Sequence, residues 1–555
     1  MNLVLAVGEI FVFVARFILP VLCILLLFFI TKDLLKKREK VTLATLITAN
    51  GMEFDLSSVE SIIGRSKLAD IVLNIPSISR RHAVITYSED YGFKISSVFG
   101  TKILVNDVEI YQYAYFDFGD VIEIGGLQLK LIPYEEKDIY SNVIAKKPRG
   151  VLPAFLLTTI QVIMFIELMI HYLDSFKPYI IISFGLLFIV EWIYFLIHKF
   201  KDNINIEILG FFLTTIGFSV AASATPDNML KQLVTAVLGV VAFAVLQIIF
   251  KNMDLVMKLR YFAGIFAILL LAYNLIFGIN LNGAKNWIMI GNVSFQPSEV
   301  VKFLFIFTTA ATLQNLLSKR NLILFLGFSA FCMGALVLMR DFGTCSIFFV
   351  TVLIILYMRS GNVKIIAAIT SVVGAGAVFV ARYVPYVQRR FSTYRHAWDY
   401  ASDKGYQQTR TMIAIASGAL LGVGGGNGNL KYVAASDTDL VFGMLCEEWG
   451  IIVALCAILC FVLFAIYSFS CVPYTNSAYF AIAACSAAGL WLFQISLNIF
   501  GSTDLLPLTG VTLPFVSNGG SSMISSWLLL SFIKALGKNR LKHPAECYNE
   551  EDEEE

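Results

Sequence analysis

Apolar runs of about 20 residues, the length an α-helix needs to cross the hydrocarbon of a bilayer, recur along most of the chain. They lie near 7–31, 151–172, 176–198, 204–224, 231–250, 259–280, 296–317, 321–339, 342–358, 363–383, 438–468, 477–500 and 514–535, which predicts about 13 membrane spans. The first run is too long for the apolar stretch of a cleavable leader, and its positive charge follows instead of preceding it, so it reads as a retained anchor. Between the first two runs the period changes. Leu127, Leu129 and Leu131 alternate with Gln128 and Lys130, the two-residue repeat of a half-buried strand, and Gly125-Gly126 after Val121-Ile122-Glu123-Ile124 supplies a hairpin turn. Residues 41–135 are therefore expected to form a small all-β sandwich.

Composition sharpens this division. Of 555 residues, 57% are hydrophobic and 15% charged, against roughly 25% charge in soluble domains. A soluble multidomain enzyme, a disordered chain and a disulfide scaffold are excluded. Cys23, Cys332, Cys456, Cys460 and Cys485 sit inside apolar runs as small core residues, and no C-x-x-C pair points to a metal. The net charge of +2 matters less than where the charges fall. Lys32, Lys36, Lys37, Arg38 and Lys40 follow the first run, and Lys146, Lys147 and Arg149 precede the second, which places 32–150 in the cytoplasm. The alternation continues through Lys199 and Lys201, Lys251 and Arg260, Lys319 and Arg320, Arg359 and Lys364, to Lys534, Lys538, Arg540 and Lys542. It puts the N-terminus outside and the C-terminus inside, with Glu550 to Glu555 as a solvated acidic tail. One loop departs from the rule: 384–437, outside by this count, carries Arg389, Arg390, Arg395, Lys404, Arg410 and Lys431. Two readings stand, a long loop exempt from the rule or an anion site suited to a phosphate-bearing substrate.

Within the β insert, Gly64-Arg65 is followed by Ser79-Arg80-Arg81-His82, then Gly100-Thr101 and Asn106-Asp107. This order resembles a forkhead-associated (FHA) domain, a β-sandwich that binds phosphothreonine peptides through loops at one end. The resemblance implies that Arg65 and Ser79 hold the phosphate, with Arg80 beside them and Asn106 on the peptide, while His82 is structural. Phe99-Gly100-Thr101 stands where the family usually has Asn-Gly-Thr, which removes an amide contact to the peptide. A purely structural docking module is the alternative.

Ionisable residues at membrane depth are costly and so are functional candidates by default. Gly283-Ala284-Lys285-Asn286-Trp287 precedes Phe295-Gln296-Pro297-Ser298-Glu299, with Lys302 one turn on and on the same helix face as Glu299. Pro297 and Glu299 also suit the first turn of a helix, as Asp341 in Asp341-Phe342-Gly343-Thr344 suits a cap. Next come Gly405-Tyr406-Gln407 and the run Gly422-Val423-Gly424-Gly425-Gly426, which lacks the G-K-[ST] ending of a nucleotide loop. An ATPase is excluded on that ground. Ser436-Asp437-Thr438-Asp439-Leu440-Val441-Phe442 has spacing like a capping box and leads to Glu447-Glu448-Trp449-Gly450. Last, Leu513-Pro514-Phe515-Val516-Ser517-Asn518-Gly519-Gly520-Ser521-Ser522 suits either close helix contact or irregular backbone lining a cavity.

Over roughly 204–540 these ordered motifs resemble the SEDS family (shape, elongation, division and sporulation), which includes RodA, FtsW and SpoVE. The T-D-F-I-F motif falls on Thr438-Asp439-Leu440-Val441-Phe442, Q-P-S-E-x-x-K on Gln296 to Lys302, and L-P-F-x-S-x-G-G-S-S on Leu513 to Ser522. Departures are Val433-Ala434-Ala435 for leucine-proline-glutamate, Asp437 for histidine, Asn286 and Arg340 for arginine and proline, and Arg410 for glutamine. The resemblance implies a peptidoglycan glycosyltransferase that polymerises lipid II at the outer face of the bacterial cytoplasmic membrane, paired with a class B penicillin-binding transpeptidase. It implies Asp439 as the catalytic residue. Candidate substrate contacts are Lys285, Asp341, Arg390, Arg395, Gln407, Lys431, Ser517 and Ser521, with Glu299 and Lys302 expected first as a buried ion pair that shapes the cavity and second as substrate contacts. No cofactor is required by it, although a divalent cation, Mg or Mn, is left open, and nothing points to nucleic acid. The expected division is an anchor helix at 1–40, the cytoplasmic FHA domain at 41–135, a linker with two additional spans at 136–203, the bundle at 204–540 with ten spans, and the tail at 541–555. A lipid II transporter and a non-catalytic scaffold recruiting phosphorylated cell-wall proteins remain as alternatives.

Overall fold

A computed structural model describes residues 2–36, 42–67, 69–88, 91–98, 100–134, 150–198, 204–281, 284–291, 293–314 and 319–539. The acidic tail, Phe99, and the basic residues at 37–40, 146–149, 199, 201, 540 and 542 lie outside the described residues. The chain forms two compact units, one containing the helical bundle and the other the β insert.

In the bundle, the predicted runs fold as α1 (Asn2–Leu34), α2 (Val151–His171), α3 (Pro178–Ile197), α4 (Asn205–Ala224), α5 (Met229–Ile249), α6 (Met253–Phe277), α7 (Pro297–Leu313), α8 (Lys319–Leu338), α9 (Phe342–Ser360) and α10 (Val363–Tyr383). Two short helices, α11 (Pro385–Thr393) and α12 (Tyr406–Gly418), precede α13 (Val441–Cys471), α14 (Ala478–Ser502) and α15 (Gly520–Lys538). Among the described residues, 11 helices are long and apolar enough to cross a membrane. The other two predicted runs, at 296–317 and 514–535, are not among these 11. α7 starts at Pro297, within one residue of the expected start, and is described over 17 residues, to Leu313. In the run at 514–535, residues 514–519 stay non-helical and the serine-rich α15 begins at Gly520. α4 is enclosed along its length, and buried Glu207 near its start accepts hydrogen bonds from Tyr194 (2.8 Å) and pairs with Lys534 of α15 (2.7 Å). Satisfying each charge with a partner is what makes its burial tolerable.

Between α6 and α7 the expected continuous span at 259–280 ends at Phe277 and gives way to a small antiparallel sheet, β12 (Ile279–Leu281), β13 (Ala284–Ile290) and β14 (Val293–Phe295), in the order β12-β13-β14.

The insert is the predicted sandwich. Its strands are β1 (Ala44–Thr48), β2 (Glu53–Leu56), β3 (Glu60–Gly64), β4 (Ile71–Val72), β5 (Ala83–Ser88), β6 (Gly92–Ser97), β7 (Ile103–Val105), β8 (Val108–Ile110), β9 (Tyr113–Phe116), β10 (Val121–Ile124) and β11 (Leu127–Pro133). One sheet runs β2-β1-β11-β10-β7-β8 and the other β4-β3-β5-β6-β9. Leu129 and Leu131 face inward from β11 while Gln128 and Lys130 face out, and they meet Ile85, Phe93 and Ile95 in the core. Gly125 and Gly126, at φ +60° and +88°, make the β10–β11 turn, a conformation that L side chains resist.

Candidate functional site

Asp439 lies in the turn that leads into α13. Ala435, at φ +61°, turns its carbonyl so that it accepts from the N–H groups of Thr438 (3.3 Å), Asp439 (3.0 Å) and Leu440 (3.1 Å). Strained backbone of this kind persists where surrounding contacts over-determine it. Those contacts come from two directions. Asn498 of α14 donates to the Asp439 carbonyl (3.0 Å) and to that of Val511 (2.7 Å), and Ser517 Oγ donates to the Thr438 carbonyl (2.7 Å). Asn518 donates through its backbone to the Asp437 carbonyl and through its side chain to Asp437 Oδ2 and Thr225 Oγ1, each at 2.8 Å. Gly510, at φ +70°, passes so close that a Cβ there would stand 3.2 Å from Asp439 Oδ2. Burial pushes the half-buried Asp439 carboxyl up to about 6; a hydrogen bond from Thr438 and the Arg390 guanidinium pull it down, and Asp437 pushes it up.

The other candidates fall into groups. Arg390 donates to the Leu508 carbonyl (2.9 Å), Gln407 to the Ala434 carbonyl (2.9 Å) and Lys431 to the Gly426 carbonyl (2.6 Å), so with Ser517 they brace the loops around Asp439. Arg395, exposed and at φ +63°, is held by its backbone N–H on Asp504 (3.1 Å). Beneath them, Lys302, 1% exposed, pairs with Glu299 at 2.8 Å and donates to Gln494 of α14 (3.0 Å). Gln494 in turn donates to the Thr512 carbonyl (2.8 Å), and Ser525 Oγ to the Glu299 carbonyl (2.7 Å). This buried network and Asn498 hold the same loop, 511–512, one helical turn apart on α14. Lys285 is placed elsewhere, on the Leu275 and Ile276 carbonyls at the end of α6 (2.8 and 2.9 Å). Asp341 caps α9 through Thr344 N–H (3.0 Å) and accepts from Asn286 (3.1 Å). Ser521 Oγ accepts from the Gln296 N–H at 3.4 Å.

The glycine-rich run has a structural use. α13 is broken at Gly450 (φ +84°, ψ 161°), which frees backbone groups on both sides. Val423 and Gly424 N–H donate to the Glu447 and Glu448 carbonyls (2.8 and 2.9 Å), and Ile451 N–H donates to the Ala419 carbonyl (3.0 Å). Non-helical backbone at membrane depth survives by such internal satisfaction. The run's next amides go to carboxylates: Gly425 to Glu167 of α2 (3.0 Å), Gly426 to Glu448 (3.2 Å), Asn429 and Leu430 to Glu447 (3.0 and 2.9 Å). Sequence reasoning missed Asn498, Gln494 and Glu167. A polar side chain inside each apolar run was the available signal.

In the β unit, Arg65 N–H donates to the Ser79 carbonyl (3.0 Å) and Ser66 N–H to the Arg80 carbonyl (3.1 Å), which sets Arg65, Ser79 and Arg80 side by side and exposed. Gly64 makes the approach possible, since a Cβ there would collide with the Arg80 carbonyl. His82, buried, accepts from Ser79 N–H at Nδ1 and donates from Nε2 to the Lys102 carbonyl, each at 3.1 Å. Asn106 is in the β7–β8 turn at φ +49°, its side chain donating to Asp120 (2.8 Å) and accepting from Val121 N–H (3.0 Å).

Among the described residues no group of three or more His, Cys, Asp or Glu side chains converges as ligands for a cation. Asp437 already accepts from Asn518. The described residues thus offer no protein-built divalent site.

A model of the FtsW/RodA/SpoVE cell cycle proteins matches residues 204–541, and one of the FHA domain matches residues 61–125. The probable peptidoglycan glycosyltransferase FtsW of Coxiella burnetii is 33% identical over 279 residues, 48% of this chain and 75% of that protein. Its counterpart in Dichelobacter nodosus is 30% identical over 287 residues, 50% of this chain and 72% of that protein. A chain from a peptidoglycan synthase complex, solved for the coordination of polymerization and crosslinking, superposes with a TM-score of 0.51 at 24% identity, over 61% of this chain and 98% of its own, a likeness of fold. The chain therefore belongs to the FtsW/RodA/SpoVE family of multi-pass membrane proteins, and it carries an FHA domain ahead of the family's bundle.

Proposed function

We propose that the chain is a peptidoglycan glycosyltransferase that polymerises lipid II at the outer face of the cytoplasmic membrane, with Asp439 as general base. The observation that carries this is the half-buried Asp439 carboxyl, raised to about 6 at an end of the bundle where several candidate polar residues brace its loops. At pH 7 it is ionised, yet nearer a hydroxyl's proton-transfer range than an ordinary carboxylate. An acceptor-sugar hydroxyl gives its proton to Asp439 while its oxygen bonds to the donor's anomeric carbon. The bond from that carbon to the undecaprenyl pyrophosphate breaks, the pyrophosphate leaves with the electron pair, and the anomeric centre inverts. General-base assistance of this kind contributes about 10²- to 10⁴-fold. Arg390, whose charge reaches Asp439, and Arg395 supply positive charge for the departing pyrophosphate. The outward placement of Asp439 follows from the positive-inside count, which also sets the N-terminus outside.

The likeness to a relative named for polymerization and crosslinking favours a class B penicillin-binding transpeptidase as partner. Exposed Arg65, Ser79 and Arg80 favour a phosphothreonine protein as the partner of the FHA domain, through charge-assisted hydrogen bonds. The test is purified protein given lipid II: glycan chains form with wild type and fail with Asp439→Asn. Labelled lipid moving between leaflets without polymer favours a transporter instead, and neither activity favours a scaffold. Retention on phosphothreonine peptides is expected to drop with Arg65→Ala; equal retention refutes the binding role.

A further inference from the structure

Three spans, α1, α2 and α3, precede the residues matched to the family, and the first two flank the FHA domain in sequence. α1 and α2 close on the glycine-rich run. Glu167, 1% exposed, accepts the Gly425 N–H at 3.0 Å, and His171 Nδ1 meets Asn427 Oδ1 at 2.9 Å. A Cβ at Gly424 would stand 3.1 Å from Val12 of α1, and one at Gly426 would stand 2.7 Å from His171. The charge of Arg16 on α1 acts on the Glu167 carboxylate. The glycines are thus required by the approach of these helices, and their amides face protein acceptors. From Gly425 the chain runs through Leu430, gripped by Glu447, to Ala434, gripped by Gln407, and on to Asp439.

We propose that Glu167 is a positioning residue for Asp439: the α1–α2 pair, lying outside the family's own bundle, clamps the loop that delivers the general base. This rests on the glycosyltransferase reading above. The helices that clamp the loop are those joined through the chain to the FHA domain, and they lie outside the residues matched to the family.

The expected signature is a change in turnover and not in substrate affinity. Glu167→Leu keeps the helix, since leucine is a strong helix former, but removes the acceptor of the Gly425 N–H. Leaving the buried Gly425 N–H without its acceptor corresponds to about a tenfold effect or more. In lipid II polymerisation by the full-length chain, Glu167→Leu should lower kcat by about tenfold with KM within about twofold of wild type. Glu167→Gln retains a carbonyl acceptor and should restore most of the turnover. Equal kcat in Glu167→Leu and wild type overturns the proposal, as does failure of Glu167→Gln to rescue. Hydrogen exchange of the amides at 423–430 separates this from the underlying reading. If wild type forms no polymer the glycosyltransferase reading fails, and the clamp stands if exchange there is faster in Glu167→Leu but not in Glu167→Gln. Exchange that is unchanged in Glu167→Leu overturns it.

Discussion

If Asp439 removes the acceptor proton, the acid limb of the pH–rate profile belongs to its carboxyl. An ordinary aspartate at 3.8 would be about nine-tenths ionised at pH 5, whereas at about 6 it is only about one-tenth ionised there and about nine-tenths at pH 7. The initial rate of lipid II polymerisation at subsaturating substrate should therefore fall about ninefold between pH 7 and pH 5. The causes of the shift supply the perturbations. Burial dominates, Arg390 lowers the pKa and Asp437 raises it. Arg390→Met should move the limb to higher pH and Asp437→Asn to lower pH, each by about half a unit to one unit for a single charge at this depth. Arg390→Met also weakens pyrophosphate departure, which lowers the plateau without setting the limb's position. Because the two variants shift the limb in opposite directions, titration of the substrate cannot imitate the result. The assay is gel-resolved glycan product from purified protein between pH 5 and 8 at constant ionic strength. A flat profile from pH 5 to 7, or a limb that both variants move in the same direction, refutes Asp439 as the base.

Asp439 should also destabilise the fold. Its folded pKa is raised, so its stabilising contribution is present below the unfolded value and lost as pH rises through about 6. At pH 7.5 Asp439→Asn should unfold later than wild type, by about 1–2 kcal/mol after allowing for partial exposure, and the gain should shrink below pH 5; thermal unfolding in detergent at the two pH values checks it. Lys302→Met leaves Glu299 buried without its partner and should destabilise by about 3–5 kcal/mol, while Lys302→Met with Glu299→Leu should recover most of the loss, read by the same unfolding assay. Gly510→Ala puts a Cβ at 3.2 Å from Asp439 Oδ2 on a φ of +70°. It should cost about 1 kcal/mol in stability and lower kcat more than KM in the polymerisation assay.

The bundle and the sandwich were legible because burial imposes period and length. A membrane span needs a run of apolar residues whatever its neighbours are, and β11 must alternate because one face of it meets Phe93 and Ile95. What the hydropathy pattern misplaced were ends, such as α6 stopping at Phe277 before a sheet whose strands are too short to show a repeat above that of the helix they follow. Ordered motifs located Asp439, Glu299 and Lys302, but a motif names a residue without its partner. Gln494 and Asn498 sit in α14 among apolar neighbours, and their use is settled by loop 511–512 arriving from a different part of the chain.

The glycine-rich run shows the limit most sharply. Glycines in series are needed wherever something approaches the backbone closely, and a phosphate, a helix break and a pair of extra helices all make the same demand on sequence. Here the demand comes from two of them together. Gly450 breaks α13, the run at 422–424 closes that break, and at 424–426 the same run lies against Val12, Leu168 and His171. The amides that a phosphate would have used are bonded to Glu167, Glu447 and Glu448. With those donors already bonded to protein acceptors, the run has few amides left to offer a pyrophosphate. On the proposed mechanism the donor's leaving group goes toward Arg390 and Arg395 instead. On that mechanism the work is divided: the carboxylates would fix the backbone that carries Asp439, and Arg390 and Arg395 would offer the charge that the departing group requires.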